Sequence, residues 1–335
     1  MSTTVAVVLL IALTFYAVFG GADYGAGVWD LTAGGAERGR RPRALIERAI
    51  GPVWEANHVW LIFIFVVSWT AFSEAYASIM LTLFVPLTIA ALGIVVRGAS
   101  FAFRKAVVSM PVRRIFGGGF ALSSVVVPYC LAAVAGGIAS GRVPAGGKAG
   151  DPVDSWINPT SVFAGVLAVA MVAYLAAVYL VWEARAVGDE DLAEYFRRRC
   201  VGTGAVVAVV LVIGFFVVRS DAPYVFDGLT SRALPVVIVG VLCGVGALVL
   251  LLRGAARGAR LLAALAVASV VIGWGVAQWP YLLPESLTVA QAAAPEGTLA
   301  ALVVTVVLGV VLVVPGFVLL YVLDQRQLLP EEGVD

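Results

Sequence analysis

The chain has 335 residues, of which 61% are apolar and 13% charged, and its mean hydropathy is +1.01. Such a composition excludes one or two water-soluble domains and makes lipid the solvent for most of the chain. Basic and acidic residues number 22 and 21, so no bulk charge points to nucleic acid or to an acidic partner. Cys130, Cys200 and Cys243 are odd in number and far apart, which argues against a disulfide framework and against a metal cluster.

A helix needs roughly 20 apolar residues to cross the hydrocarbon core with every backbone amide satisfied inside its own segment. In chain order, nine stretches qualify: Thr4 to Leu31, Val53 to Phe72, Tyr76 to Ala99, Phe116 to Ile138, Ser161 to Trp182, Val201 to Val218, Ala233 to Leu252, Leu261 to Gln278, and Thr298 to Leu323. The first follows Met1-Ser2 without a basic flank and runs into a glycine-rich segment holding Asp23, so it is expected to remain a span rather than be cleaved. The expected class is an all-α integral membrane protein, a single polytopic membrane domain over 1–335 with about nine transmembrane helices. That count accommodates two four-helix bundles plus one extra helix.

Basic residues fall in alternate loops. Arg38, Arg40, Arg41, Arg43 and Arg48 follow the first span, and Arg97, Arg104, Lys105, Arg113 and Arg114 the third. Arg185, Arg197, Arg198 and Arg199 follow the fifth, Arg253, Arg257 and Arg260 the seventh, and Arg326 the last. The split is 18 on one side against 4 on the other, which predicts an outside N-terminus and a cytoplasmic C-terminus. The outer side then carries two sizeable loops, Ala139 to Thr160, rich in Gly, Pro and Asp, and Trp279 to Gly297, with three prolines.

Ionisable residues at membrane depth are costly, so each is expected to have a partner or a task. The first group is Gly20-Gly21-Ala22-Asp23-Tyr24-Gly25-Ala26-Gly27-Val28-Trp29-Asp30-Leu31, at the inner end of the first span. Gly21, Gly25 and Gly27 let another backbone come close, while Asp23 and Asp30 supply acids. The second is Pro52-Val53-Trp54-Glu55-Ala56-Asn57-His58-Val59-Trp60-Leu61, where Pro52 suits a first helical turn and Glu55 and His58 share a face. A carboxylate one turn into a span can load protons from the cytoplasm, or can simply be paired; His58 reads equally as an interior hydrogen-bonded histidine. The third is Arg97, which either snorkels to the headgroups or neutralises Asp23, Asp30 or Glu55. With one histidine in the whole chain, a bis-histidine haem, a di-iron centre or a copper centre has too few ligands here.

These segments resemble subunit II of the cytochrome bd-type quinol oxidases. Gly21-Ala22-Asp23-Tyr24-Gly25-Ala26-Gly27 is similar to that family's GxDxGxG stretch, and Pro52 to Leu61 to its P-x-W-[DE]-x-N-x-V-W-L signature. Phe103-Arg104 and Trp279-Pro280-Tyr281-Leu282-Leu283-Pro284-Glu285-Ser286-Leu287-Thr288 match family segments in the same order. The resemblance implies a multi-pass protein of the bacterial inner membrane, paired with a haem-bearing subunit I, with lipid around it and no nucleic acid. In that complex quinol is oxidised near the outer face, dioxygen is reduced to water, and haem b and haem d sit on the partner. It further implies that Glu55, where many members carry Asp, belongs to a proton entry route at the subunit interface. Asp23, Asp30 and His58 are its candidate companions, and Trp54, Asn57, Trp60 and Arg97 are supporting candidates. Whether this chain holds a structural quinone, and whether small accessory subunits attach, the resemblance leaves open. Two other readings compete: a proton-coupled secondary transporter and a structural membrane scaffold without chemistry.

Overall fold

The structure is a computed structural model that describes the backbone of residues 1–35, 37–106 and 110–325. Side chains are described for the same residues except 50–56, 101, 104–106, 110–114, 313, 314, 317, 318 and 320–325. The elements are α1 (Ser2–Leu31), α2 (Arg40–Ala71), α3 (Ser73–Thr82), α4 (Phe84–Ala106), α5 (Met110–Ala139), α6 (Pro159–Ala186), α7 (Glu190–Asp221), α8 (Pro223–Thr230), α9 (Leu234–Leu252), α10 (Ala256–Gln278), the antiparallel pair β1 (Tyr281–Leu283) and β2 (Leu287–Thr288), and α11 (Glu296–Gln325). Among the described residues, six helices are long and apolar enough to cross a membrane; Asn57–Ala71 and Ser73–Thr82 meet at a bend of 119° and would count as a seventh only if the pair were one span. Phe84–Ser100 and Glu296–Leu312 are apolar but shorter.

Helix α6 is the axis of the molecule. It packs against α1, α5, α7 and α10, and 67% of its apolar window is buried, against 11% for those of α7 and α9. Its residues Ala173, Ala176, Ala177, Val178, Val181 and Ala184 are all buried, so small side chains on every side admit several neighbours at once. Around it, α1 packs on α2 and α5 and α4 on α5, while α9 pairs with α10; α11 touches α1 and α2. At the α2–α7 corner, Arg41 forks onto Asp189 at 2.8 and 2.9 Å, and Asp189 caps α7 by accepting from the Leu192 amide. The Arg41 guanidinium, aided by that amide, holds the Asp189 carboxyl below the ordinary carboxylate range.

The third expected span, Tyr76 to Ala99, is interrupted at Leu83, which separates α3 from α4. Pro86 explains the break. It has no amide for the carbonyl of Thr82, which instead accepts from Ser155 Oγ at 3.4 Å. The loop that supplies Ser155 is docked on α3. Glu74, Ser78 and Thr82, one helical turn apart on α3, accept from the amides of Gly146, Gly147 and Gly150 at 2.9, 3.1 and 2.9 Å. Gly146 and Gly147 have φ of +88° and +64°, a conformation that favours glycine. The same loop is tied to α7 by Arg142, which meets Asp221 at 3.1 and 2.6 Å. The second loop, 279–297, contains the short antiparallel β1–β2 pair.

A side chain at position 25 has no room, because a Cβ on Gly25 would fall on the Val172 carbonyl of α6. One turn on, Trp29 Nε1 donates to the Ala173 carbonyl at 2.8 Å, so the two contacts fix the depth of α1 against α6. Gly25→Val is expected to cost on the order of 1–3 kcal/mol, read as a lower thermal midpoint of the purified protein, whereas Ala22→Val on the same helix is expected to change it little.

Candidate functional site

A polar cluster lies where the glycine-rich end of α1 meets α4 and α5. At its centre Arg97 of α4 is 1% exposed. Its Nη2 lies 2.6 Å from Asp23 Oδ1 and 3.0 Å from the Asp23 carbonyl of α1, and its Nη1 donates to Ser124 Oγ of α5. The guanidinium carbon stands 4.8 Å from the centre of the Tyr24 ring and 4.2 Å from that of Phe120. A planar cation is thus sandwiched between two aromatic rings and paired at its edge with a carboxylate, which offsets the loss of its hydration. Gly27 completes the fit: a Cβ there would meet Ser124 and stand 3.0 Å from Arg97 Nη1. Gly21 faces Val172 and Leu175 of α6 at ordinary contact distance.

Asp30, two turns below Asp23, answers to a different arginine. Arg43 of α2 places Nε 2.8 Å from Asp30 Oδ1 and donates to the carbonyls of Gly34 and Gly35 at 2.6 and 3.3 Å. Arg199 of α7 adds a bond to the Thr32 carbonyl at 3.3 Å, with its guanidinium 3.6 Å above the Tyr195 ring. Both arginines therefore meet carbonyls at the negative pole of α1, where cations are favoured. Of the second motif, Asn57 is buried and gives Nδ2 to the Phe19 carbonyl at 3.4 Å, while its Oδ1 has no protein partner. Trp60, one turn on, lies 5.0 Å from Phe15 of α1. Asn57 and Trp60 thus dock α2 on α1, and His58 between them is half-buried. The side chains of Trp54 and Glu55 lie outside the described residues.

Of the sequence candidates, the structure brings Asp23, Arg97 and Gly27 into one site, places Asp30 in a second, and sets Asn57 and Trp60 on the α1–α2 seam. Arg43, Ser124, Phe120 and Tyr24 were not singled out as partners. Ser123-Ser124 inside an apolar run was the available signal for the hydroxyl on α5, whereas nothing local marks Phe120. Among the described residues, no group of three or more His, Cys, Asp or Glu side chains could hold a metal ion.

Breaking a buried ion pair from one side leaves the other charge uncompensated, at about 3–5 kcal/mol. Asp23→Asn and Arg97→Met are therefore each expected to lower the thermal midpoint strongly, and the double variant Asp23→Leu with Arg97→Met by less than the sum. Additive losses would show that the pair is not coupled.

Known proteins are similar to this chain along most of its length. The family model for cytochrome bd terminal oxidase subunit II matches residues 1–324. The chain is 24% identical over 239 residues to the cytochrome bd ubiquinol oxidase subunit 2 of Bacillus subtilis, covering 70% of this chain and 68% of that one. It is 25% identical over 235 residues to the cytochrome bd-I ubiquinol oxidase subunit 2 of Escherichia coli K12, covering 67% of this chain and 57% of that protein's length. The structure is similar to a chain in the bd oxidase structure from Geobacillus thermodenitrificans, with a TM-score of 0.77 and 26% identity over 96% of this chain and 98% of that one. With its helical fold and a family match along nearly its whole length, the chain belongs to the cytochrome bd terminal oxidase subunit II family.

Proposed function

We propose that this chain is the haem-free subunit of a quinol:oxygen oxidoreductase complex in the bacterial inner membrane, where it holds a haem-bearing subunit I and delivers cytoplasmic protons for the reduction of dioxygen to water. The relatives in Bacillus subtilis and Escherichia coli are subunits of ubiquinol oxidases, which supports the quinol and the oxidase of this reading. A bis-histidine haem on this chain does not fit its residues, since one histidine cannot give two axial imidazoles. In this reading the haems of the complex, haem b and haem d, belong to the partner subunit.

The observation that carries the proton reading is how the acids are held. Asp23 is locked to Arg97 and Asp30 to Arg43, so both act as fixed counter-ions that position helices. Glu55, on α2 next to the buried Asn57, is left as the residue that takes protons from the cytoplasm, with His58 one turn along. Locked acids equally favour the scaffold reading, in which the chain only holds its partner. The two separate on Glu55→Ala in an intact, fully haem-loaded complex: dioxygen reduction slowed by about tenfold or more supports delivery, with recovery in Glu55→Asp. Unchanged turnover supports the scaffold. A transporter is the weaker reading, because the polar groups cluster at one end of the first helices rather than at breaks in mid-membrane.

In this reading nine spans put the N-terminus outside and the C-terminus in the cytoplasm, with α3 and α4 together forming the third. The 18-to-4 split of basic residues supports that orientation. Alkaline phosphatase fused within 141–150 is expected to be active, and fused after residue 325 inactive; the reverse result overturns the orientation.

A further inference from the structure

We propose that the turn between α9 and α10 binds the phosphate headgroup of an anionic phospholipid, with the acyl chains lying along α9 and α10. Arg253, Arg257 and Arg260 fall within eight residues there. Ala255 gives α10 no side-chain cap and the first turn holds no acid, so Arg257 and Arg260 bring positive charge to the positive pole of a helix, where anions are preferred. The protein itself does not resolve this conflict. Among the described residues no carboxylate comes within ion-pair distance of the three arginines, and none of their guanidinium groups donates to a protein acceptor. The equally basic start of α2 differs, since Arg41 and Arg43 meet Asp189, Asp30 and backbone carbonyls.

The turn is shaped rather than merely charged. Arg185 Nη1 at the end of α6 donates to the Gly254 carbonyl at 2.8 Å, and Gly254 takes φ +82°. Arg260 is held with its guanidinium carbon 4.4 Å from the centre of the Trp182 ring and 5.4 Å from that of Tyr179, a contact that uses the face of a guanidinium and leaves its edge donors for an oxyanion. The occupant must also be apolar beside its charge, because Leu252 and Leu261, which flank the arginines, are 52% and 63% exposed. Leu242 and Val245 continue the exposed apolar surface along α9. A negative head on an apolar body is an anionic lipid, and a basic turn between two spans is where such a head is met. The inference rests on the membrane-spanning reading of α9 and α10, not on the proton reading.

The test uses the purified complex in nanodiscs of phosphatidylcholine containing a minor fraction of spin-labelled phosphatidylglycerol, with spin-labelled phosphatidylcholine as the reference. The wild type is expected to retain phosphatidylglycerol selectively. Arg253→Gln/Arg257→Gln/Arg260→Gln is expected to lose about tenfold to a hundredfold of that selectivity, and Arg260→Lys only part of it. Should the triple variant unfold, Arg257→Gln, at an exposed position, is read in the same way. Undiminished selectivity in the variants overturns the proposal. So does displacement of the labelled lipid by millimolar inorganic phosphate, which would make the turn a site for free anions. Release of another subunit by the same substitutions would assign the arginines to a protein interface and also overturn it.

Discussion

A guanidinium in a place that water does not reach sets the terms for the rest of this molecule. Arg97 is sealed by three helices at once: α1 gives the carboxylate and one ring, α5 the hydroxyl and the other ring, and α4 carries the cation itself. None of these helices can slide by a turn without leaving a charge or a hydroxyl unanswered, and in a medium of low dielectric that cost is large. The glycine at position 27 belongs to the same constraint, because any side chain there would displace Ser124. The glycine stretch and the arginine, 70 residues apart, are two halves of one fitting.

Below that centre the end of α1 is gripped from outside. Arg43 and Arg199 reach carbonyls just past its end from α2 and α7, and Arg41 joins α2 to the cap of α7. These exposed and half-exposed tethers are individually weak, but they converge on the helix whose depth is already fixed by Gly25 and Trp29 against α6. The C-terminal end of the first helix is therefore held as a fixed post. The acids it carries are parts of the frame, which suits a subunit that must offer a constant surface to its neighbour.

Much of this was legible in the sequence, because an apolar run of twenty residues is a local signal and needs no knowledge of neighbours. Both ends of the Asp23–Arg97 pair stood out for the same reason: each is a charge in a hydrophobic run. Which acid meets which arginine was not legible, since the register between α1 and α4 arises from packing across more than seventy residues. Arg43 looked like one more loop cation, although it is the partner of Asp30. The break at Leu83 was hidden because a hydropathy window averages over Pro86, and because Glu74, Ser78 and Thr82 look like scattered polarity until the loop that uses them is seen.

The glycines of that loop are held on α3 through their main-chain amides, and the side-chain oxygens that accept from Gly146, Gly147 and Gly150 all lie on that helix. For this stretch the path is written in a different part of the chain from the loop itself. Substitutions between the docked glycines can accumulate without altering its course, while a change at Ser78 or Thr82 would loosen a stretch whose own residues had not changed, leaving the loop to its ties through Arg142 and Ser155.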